Sequence, residues 1–132
     1  MKEVFKIGTA TGHSMFDLPA KQQANGRSRG RAPSMAMNRL ETAYSEQLEY
    51  RRFQREILWW KFDSMKLRLA KDTFYETDFV LMTADTMIEV HEVKGHWEDD
   101  ARVKVKVAAS MFPFKFVGVQ RNGKDGWIFE EF

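Results

Sequence analysis

Apolar residues recur every three to four positions in two stretches of the chain, over residues 38 to 54 and over residues 98 to 112. This spacing predicts two helices. Asn38, followed three residues later by Glu41, has the form of a capping box at the start of the first. The second stretch also alternates like a strand in its middle. We interpret it as a helix because acidic residues occupy its first turn and Pro113 ends it.

Short runs that are rich in aromatic residues, or that alternate apolar and polar positions, predict strands in the rest of the chain. Six such runs lie at 57 to 62, 65 to 70, 79 to 82, 87 to 94, 114 to 120 and 127 to 129. We expect the first two to be joined by a tight turn within the sheet, and the third and fourth to form a hairpin. The order α-β-β-β-β-α-β-β predicts a mixed α/β domain.

The length and composition of the chain limit the classes of protein to which it can belong. With 132 residues, of which 43% are hydrophobic and 30% charged, the chain is expected to form one globular domain with a tail. The absence of cysteine excludes a disulfide framework and any cysteine-ligated metal site, and it fits a reducing cytoplasm. No apolar run approaches the roughly 18 residues of a membrane span and no signal peptide is evident, so we expect no membrane partner.

Positive charge is concentrated at the start of the chain. The net charge is +2 overall, but residues 1 to 33 carry +4 and the remainder carries −2. The segment from 22 to 33 is rich in Gly, Ser and Arg and lacks apolar periodicity, which predicts a flexible basic arm over 1 to 33 before a domain over 34 to 132. Four arm cations are candidate phosphate ligands, although a solvated linker explains the composition equally well: Lys21, Arg27, Arg29 and Arg31.

Three charged residues near the predicted hairpin carry the candidate chemistry. Glu92 and Lys94 leave the same face of one strand, and a hairpin that turns symmetrically about Asp85 places Asp78 directly opposite Glu92. Two opposed carboxylates repel each other unless a cation lies between them. Mg²⁺, or Mn²⁺ in its place, takes oxygen ligands. We therefore predict a metal held by both carboxylates and by a backbone carbonyl such as that of Val93.

A lysine beside metal-bound carboxylates suits phosphodiester hydrolysis, because it orients the attacking water and offsets the charge of the transition state. Gly95, which follows Lys94, would let a phosphate approach without obstruction by a Cβ atom. His91 points to the opposite face of its strand, where we expect a packed or hydrogen-bonded core histidine. The cations of the following helix are candidate phosphate ligands or ordinary exposed helix charges: Arg102, Lys104 and Lys106.

The residues around this trio resemble a known signature. Thr77-Asp78-Phe79 and Glu89-Val90-His91-Glu92-Val93-Lys94-Gly95 are similar to the D…(D/E)-x-K motif of the PD-(D/E)xK nuclease superfamily. Over residues 34 to 120, the chain resembles small phage-encoded endonucleases of that superfamily, related in kind to phage Holliday-junction resolvases. Thr77 stands where the motif commonly has proline, which removes a rigid turn element and no chemistry.

The resemblance implies a restriction-endonuclease-like α-β-β-β-α-β core with the active site at one sheet edge, and it implies that Glu41 joins the metal site. It further implies a Mg²⁺-dependent endodeoxyribonuclease that acts on branched DNA in the cytoplasm of a bacterial host, encoded by a phage or prophage. Because resolving a junction takes two matched cuts, we expect a homodimer. The alternative is a non-catalytic nucleic-acid-binding module, which would keep Asp78 and Glu92 together without compensation.

Overall fold

A computed structural model of the chain describes residues 36 to 132. The predicted basic arm, its four cations and the predicted domain boundary lie outside the described residues. Within the described part, two helices and seven strands follow one another in the order α1 (Arg39–Phe53), β1 (Ile57–Phe62), β2 (Lys66–Ala70), β3 (Thr73–Glu76), β4 (Phe79–Thr83), β5 (Ile88–Val93), α2 (Asp99–Met111), β6 (Lys115–Asn122) and β7 (Gly126–Glu131).

Both predicted helices and all six predicted strands are present, with ends that differ from the prediction by at most two residues. The predicted capping box of α1 is formed, since Asn38 and Glu41 each accept a hydrogen bond from the other's backbone N–H at 2.8 Å. Helix α2 carries acidic residues in its first turn and ends two residues before Pro113, as predicted. The prediction omitted β3, because four residues between two turns are too few to establish an alternating pattern.

The main sheet has five strands in the order β1-β4-β5-β6-β7. Strands β5 and β6 are parallel and α2 forms the crossover between them, whereas the other neighbours are antiparallel. The β4–β5 hairpin pairs Phe79 with His91 and Met82 with Ile88, which is the symmetric register about Asp85 that the sequence predicts. The coarse α/β class is therefore confirmed.

Strands β2 and β3 form a two-stranded sheet of their own. The prediction that β2 continues the main sheet beside β1 is thus wrong, because β1 pairs with β4 instead. The β2–β3 hairpin packs over α2 through Leu67 and Tyr75, which share a buried cluster with Val105 and Phe116. This cluster gives the separate hairpin its own apolar contact, and it brings β3 over the main sheet next to β5.

The main sheet is covered on both faces, because successive residues of a strand point to opposite sides. On β4, Phe79 and Leu81 pack with Tyr44 of α1, whereas Val80 packs with Val105 of α2. Neither described helix is long and apolar enough to cross a membrane. The sheet is therefore held between α1 on one side and α2 with the β2–β3 hairpin on the other.

Candidate active site

Asp78 and Glu92 lie side by side where β4 begins and β5 ends. Phe79 and His91 are the last paired residues at this end of the β4–β5 hairpin. Extending their register by one residue sets Asp78 against Glu92. The ammonium of Lys94 is 2.8 Å from Glu92 Oε1 and 3.9 Å from Asp78 Oδ2. The fold therefore brings together the three residues that the sequence singled out.

The backbone on either side of Asp78 fixes its position. The N–H of Val93 donates to Asp78 Oδ2 at 2.9 Å, and the carbonyl of Asp78 accepts the N–H of Asp63 at 2.9 Å. Asp63 has a φ of 46°, which turns the chain as it leaves β1. The Asp78 carboxylate, with 17% of its side chain exposed, is thus held at the mouth of the site rather than free to turn away.

Both carboxylate oxygens of Glu92 have partners from the chain. Lys94 contacts Oε1, and the Tyr75 hydroxyl donates to Oε2 at 2.6 Å. Burial, followed by the charge of Glu92, raises the pKa of Tyr75, so its hydroxyl stays protonated and remains a donor. Sequence reasoning did not single out Tyr75 because it lies on the omitted strand β3. We infer that it sets the rotamer of Glu92.

The charge of Glu92 is close enough to change the ionisation of Asp78. Burial, followed by the charge of Glu92, raises the pKa of Asp78 to about 7, although Lys94 and the N–H of Val93 oppose this change. Burial by itself would lower the pKa of Lys94, but the charges of Glu92 and Asp78 outweigh it and raise that pKa. Lys94 therefore keeps its charge, and near neutral pH Asp78 without a cation is partly protonated.

Glu41 faces the same cleft from the first turn of α1. One of its oxygens caps the helix, and its charge helps to raise the pKa of both Asp78 and Lys94. The predicted capping contact of Glu41 is thus present. Its role as a metal ligand stays a prediction, for which Oε1 is the oxygen that the cap does not use.

A cleft of about 400 Å³ opens in front of these side chains. Its acidic lining residues are Glu41, Asp63, Glu76, Asp78 and Glu92, with Lys94 as its one cation among the described residues. Mg²⁺ is typically bound through one or two carboxylates with water completing its shell, and oxygen donors suit Mg²⁺ and Mn²⁺. Within residues 36 to 132, no three His, Cys, Asp or Glu side chains are arranged as a metal cage. The pair Asp78 and Glu92 fits the sparse carboxylate set that Mg²⁺ uses.

Two of the residues predicted to bind phosphate lie near the cleft. Gly95 follows Lys94 directly, and a Cβ atom there would meet only Leu40 at 3.9 Å, so packing does not require glycine. Lys104 lines a groove that also includes Glu92. For both residues, phosphate binding stays a prediction.

The other two cations of α2 lie elsewhere. Arg102 forms an ion pair with Glu130, and its guanidinium lies over the rings of Trp97 at 5.5 Å and Phe132 at 5.4 Å. These contacts hold α2 against β7, and a phosphate would have to compete with them. Lys106 is exposed on α2 and does not line the cleft.

Thr77, which precedes Asp78, connects the site to the β2–β3 hairpin. Its N–H donates to the carbonyl of Met65 at 3.0 Å, and its hydroxyl contacts the same carbonyl at 3.2 Å. Proline has no N–H and could not make the first of these bonds. Thr77 is therefore positioned before Asp78 by hydrogen bonds rather than by a rigid ring.

His91 is a hydrogen-bonded core histidine, as predicted. Its side chain is 2% exposed, with Nδ1 at 2.6 Å from the Tyr44 hydroxyl and Nε2 at 2.9 Å from Glu89. Burial lowers the pKa of His91 despite the nearby Glu89. The neutral ring then donates from Nε2 to Glu89 and accepts at Nδ1 from Tyr44.

Comparison of the chain with protein-family models, with curated proteins and with solved structures finds no match. A functional assignment for this chain therefore depends on the site geometry and on the resemblance of its motif.

Proposed function

We propose that this protein is a metal-dependent DNA endonuclease that hydrolyses phosphodiester bonds at Asp78, Glu92 and Lys94. The observation that carries the proposal is the pairing of two carboxylates, with 17% and 8% of their side chains exposed, around one shared ammonium. Holding two buried like charges together costs free energy, and a bound divalent cation offsets that cost. Strained charge pairs of this kind cluster at functional sites.

Each residue of the site has a distinct role in the proposed reaction. Bound Mg²⁺ would supply an acidified water molecule and neutralise charge on the phosphoryl oxygens. Asp78 and Glu92 would hold it, while the N–H of Val93 keeps Asp78 in place and the Tyr75 hydroxyl orients Glu92. The Lys94 ammonium is held by Glu92, and its remaining protons would be donated to the attacking water and the non-bridging phosphate oxygens.

The order of elements supports a restriction-endonuclease-like core. If the β2–β3 hairpin is set aside, α1, β1, β4, β5, α2 and β6 follow the α-β-β-β-α-β order that the motif resemblance implies. We place the substrate among branched or structured DNAs, with a homodimer as the working form and a phage or prophage in a bacterial cytoplasm as the source. These finer assignments rest on the resemblance, because a fold does not determine its substrate.

The second candidate function is a non-catalytic nucleic-acid-binding module. It is favoured by the internal partners of the two carboxylates, since Val93, Tyr75 and Lys94 satisfy them without a metal. The two candidates differ in metal dependence, because a module of this kind would bind DNA equally well in EDTA and would leave it intact.

The test of the proposal is a cleavage assay on end-labelled four-way junction, flap, duplex and single-stranded DNA. The protein is first freed of metal with EDTA, and Mg²⁺ is then added back. We expect cleavage only after the addition, with a branched substrate cut fastest, and sedimentation of the same samples should show a dimer. Binding of every substrate without cleavage at any Mg²⁺ or Mn²⁺ concentration would favour the binding module.

Glu41→Gln tests whether the helix residue completes the metal shell. The amide can still accept the N–H of Asn38, so the cap is kept while the charge is lost. We expect the Mg²⁺ concentration for half-maximal cleavage to rise about tenfold, with little change at saturation. Glu46→Gln, an exposed change on the same helix, is the control. Equal metal dependence in both variants would leave Glu41 with the capping role alone.

Deletion of residues 1 to 33 tests the basic arm. Each phosphate contact contributes about −0.9 to the slope of log affinity against log salt on duplex DNA. If Lys21, Arg27, Arg29 and Arg31 contact phosphates, the truncated protein should bind with a measurably flatter slope in a fluorescence anisotropy titration. An unchanged slope would identify the arm as a solvated linker.

A further inference from the structure

The candidate active cleft continues into a second depression on the α2 side of the sheet. This groove has a volume of about 230 Å³ and is lined by β3, α2 and the end of β5. Glu76 and Glu92 line both the groove and the cleft, so the two are neighbouring parts of one surface. A nucleic acid strand that leaves the cleft on this side meets the groove.

An aromatic ring stands at the far side of this groove. Phe74 lies between Tyr75 and the β2–β3 turn, and it remains 39% exposed, whereas its neighbour Tyr75 is buried. Tyr75 packs inward against Phe116, whereas Phe74 stays exposed and contributes to the wall of the groove. Lys66 Nζ lies 4.9 Å from the centroid of the Phe74 ring, which is a cation–π contact.

Cationic side chains lie beside Phe74 on the hairpin and across the groove on α2. Arg68 is the cross-strand partner of Phe74, and Lys104 lines the groove from α2. Lys66 is partly neutralised by Glu76 at 3.0 Å, whereas the only side-chain bond that Arg68 makes within residues 36 to 132 is from Nε to the Ala70 carbonyl. Among the described residues, Lys104 is the one cation that lines the groove, beside Glu76 and Glu92, and Arg68 lies on the neighbouring strand. An exposed aromatic ring with cations beside it is the combination with which proteins bind single-stranded nucleic acid.

We propose that this groove binds an unpaired nucleotide next to the scissile phosphate, with its base stacked on Phe74 and its phosphate contacted by Lys104 and Arg68. This inference rests on the proposed nuclease function and specifies its substrate class. A base inside a duplex is already stacked on both sides and cannot reach a ring on the protein surface. The groove therefore selects DNA with unpaired bases at the cut site, such as flaps, bubbles and branch points.

The test is the affinity of the full-length chain for a short single-stranded DNA that carries one 2-aminopurine, measured in EDTA so that no cleavage occurs. Stacking on Phe74 should change the fluorescence of the analogue, and Phe74→Ala should weaken binding about tenfold. Phe74→Trp should retain the affinity. Phe53→Ala removes a ring that is 84% exposed at the end of α1 and should have no effect. Lys104→Ala should flatten the salt dependence by about 0.7 per lost single-strand contact.

Cleavage assays distinguish a failure of this inference from a failure of the proposed function. With Mg²⁺, Phe74→Ala should cut flap and bubble DNA at least about tenfold more slowly than the parent. The two proteins should cut blunt duplex at the same rate. Equal affinity for the oligonucleotide and equal flap cleavage in parent and Phe74→Ala would overturn the subsite and leave the nuclease standing. Loss of oligonucleotide affinity in Phe74→Ala, in a protein that cleaves nothing, would support the subsite and overturn the nuclease.

Discussion

Glu92→Gln is expected to lower the rate of DNA cleavage at saturating Mg²⁺ by about a thousandfold. The amide matches the shape of the carboxylate and keeps an oxygen for the Tyr75 hydroxyl, so the fold should survive. It also removes one of the two charges that would hold the cation, and it places an NH₂ group against the Lys94 ammonium. Lys94→Met should reduce the rate by a comparable factor, because it removes the donor beside the reacting phosphate.

Asp125→Asn is the matched control for these variants, because it changes an exposed carboxylate in the β6–β7 turn that does not line the cleft. Rates are compared in single-turnover reactions, and DNA affinity is measured in parallel. Affinity should persist or rise in Glu92→Gln, since the loss of a negative charge reduces repulsion of phosphate. A Glu92→Gln protein that cuts as fast as the Asp125→Asn protein would show that this is not the catalytic site.

Asp78→Asn is expected to stabilise the metal-free protein while abolishing its activity. The pKa of Asp78 rises from an ordinary value of 3.8 to about 7 in the folded chain, chiefly through burial and next through Glu92. The ionised carboxylate therefore opposes folding, and asparagine removes this opposition while its side-chain oxygen still accepts the N–H of Val93. We expect a gain of roughly 2 kcal/mol in the free energy of unfolding at alkaline pH in EDTA.

The free energy of unfolding of the metal-free protein should fall as pH rises, because burial raises the pKa of Asp78. Between the ordinary pKa of 3.8 and the folded value of about 7, the folded protein holds the proton more tightly than the unfolded chain. The free energy of unfolding therefore falls as pH rises through this window, and the loss is complete above it. In thermal melts, the advantage of Asp78→Asn should be small near about pH 4 and full near about pH 8.

Mg²⁺ should reverse the order of the melting temperatures of the parent and Asp78→Asn. A cation that binds only the folded state raises the melting temperature of the parent, whereas the variant has lost a ligand and should respond weakly. Asp125→Asn should melt like the parent under every condition. A variant that melts below the parent in EDTA at alkaline pH would contradict the view that Asp78 and Glu92 are held together at a cost in stability.

Local patterns were sufficient to predict both described helices, six of the seven described strands and the proximity of Asp78, Glu92 and Lys94. The symmetric β4–β5 turn sets the register over a few residues, so the position of Asp78 against Glu92 follows from alternation about Asp85 alone. The start of α1 was equally predictable, because the Asn38 and Glu41 cap is a contact between neighbours in the chain. Such features depend on few residues, and packing elsewhere does not change them.

The β2–β3 hairpin could not be predicted in this way. Strand β1 leaves its sequence neighbour and pairs with β4, and Ile57 and Phe79 are then buried together against α1. The hairpin then packs on α2, and only this long-range contact places Tyr75 against Glu92 and Phe74 beside the groove. The ion pair of Arg102 with Glu130 likewise joins residues far apart in the chain, which a helical pattern cannot indicate.

The measurement that tests the central claim most directly is Mn²⁺ binding followed by electron paramagnetic resonance, in which protein-bound Mn²⁺ disappears from the free-ion signal. The parent, Asp78→Asn, Glu92→Gln and Asp125→Asn proteins are titrated after removal of metal with EDTA and dialysis. We predict that the parent and Asp125→Asn bind Mn²⁺ alike, and that each site variant binds it at least about tenfold more weakly. Mn²⁺ binding of equal strength in all four proteins would contradict a metal-dependent site at Asp78 and Glu92.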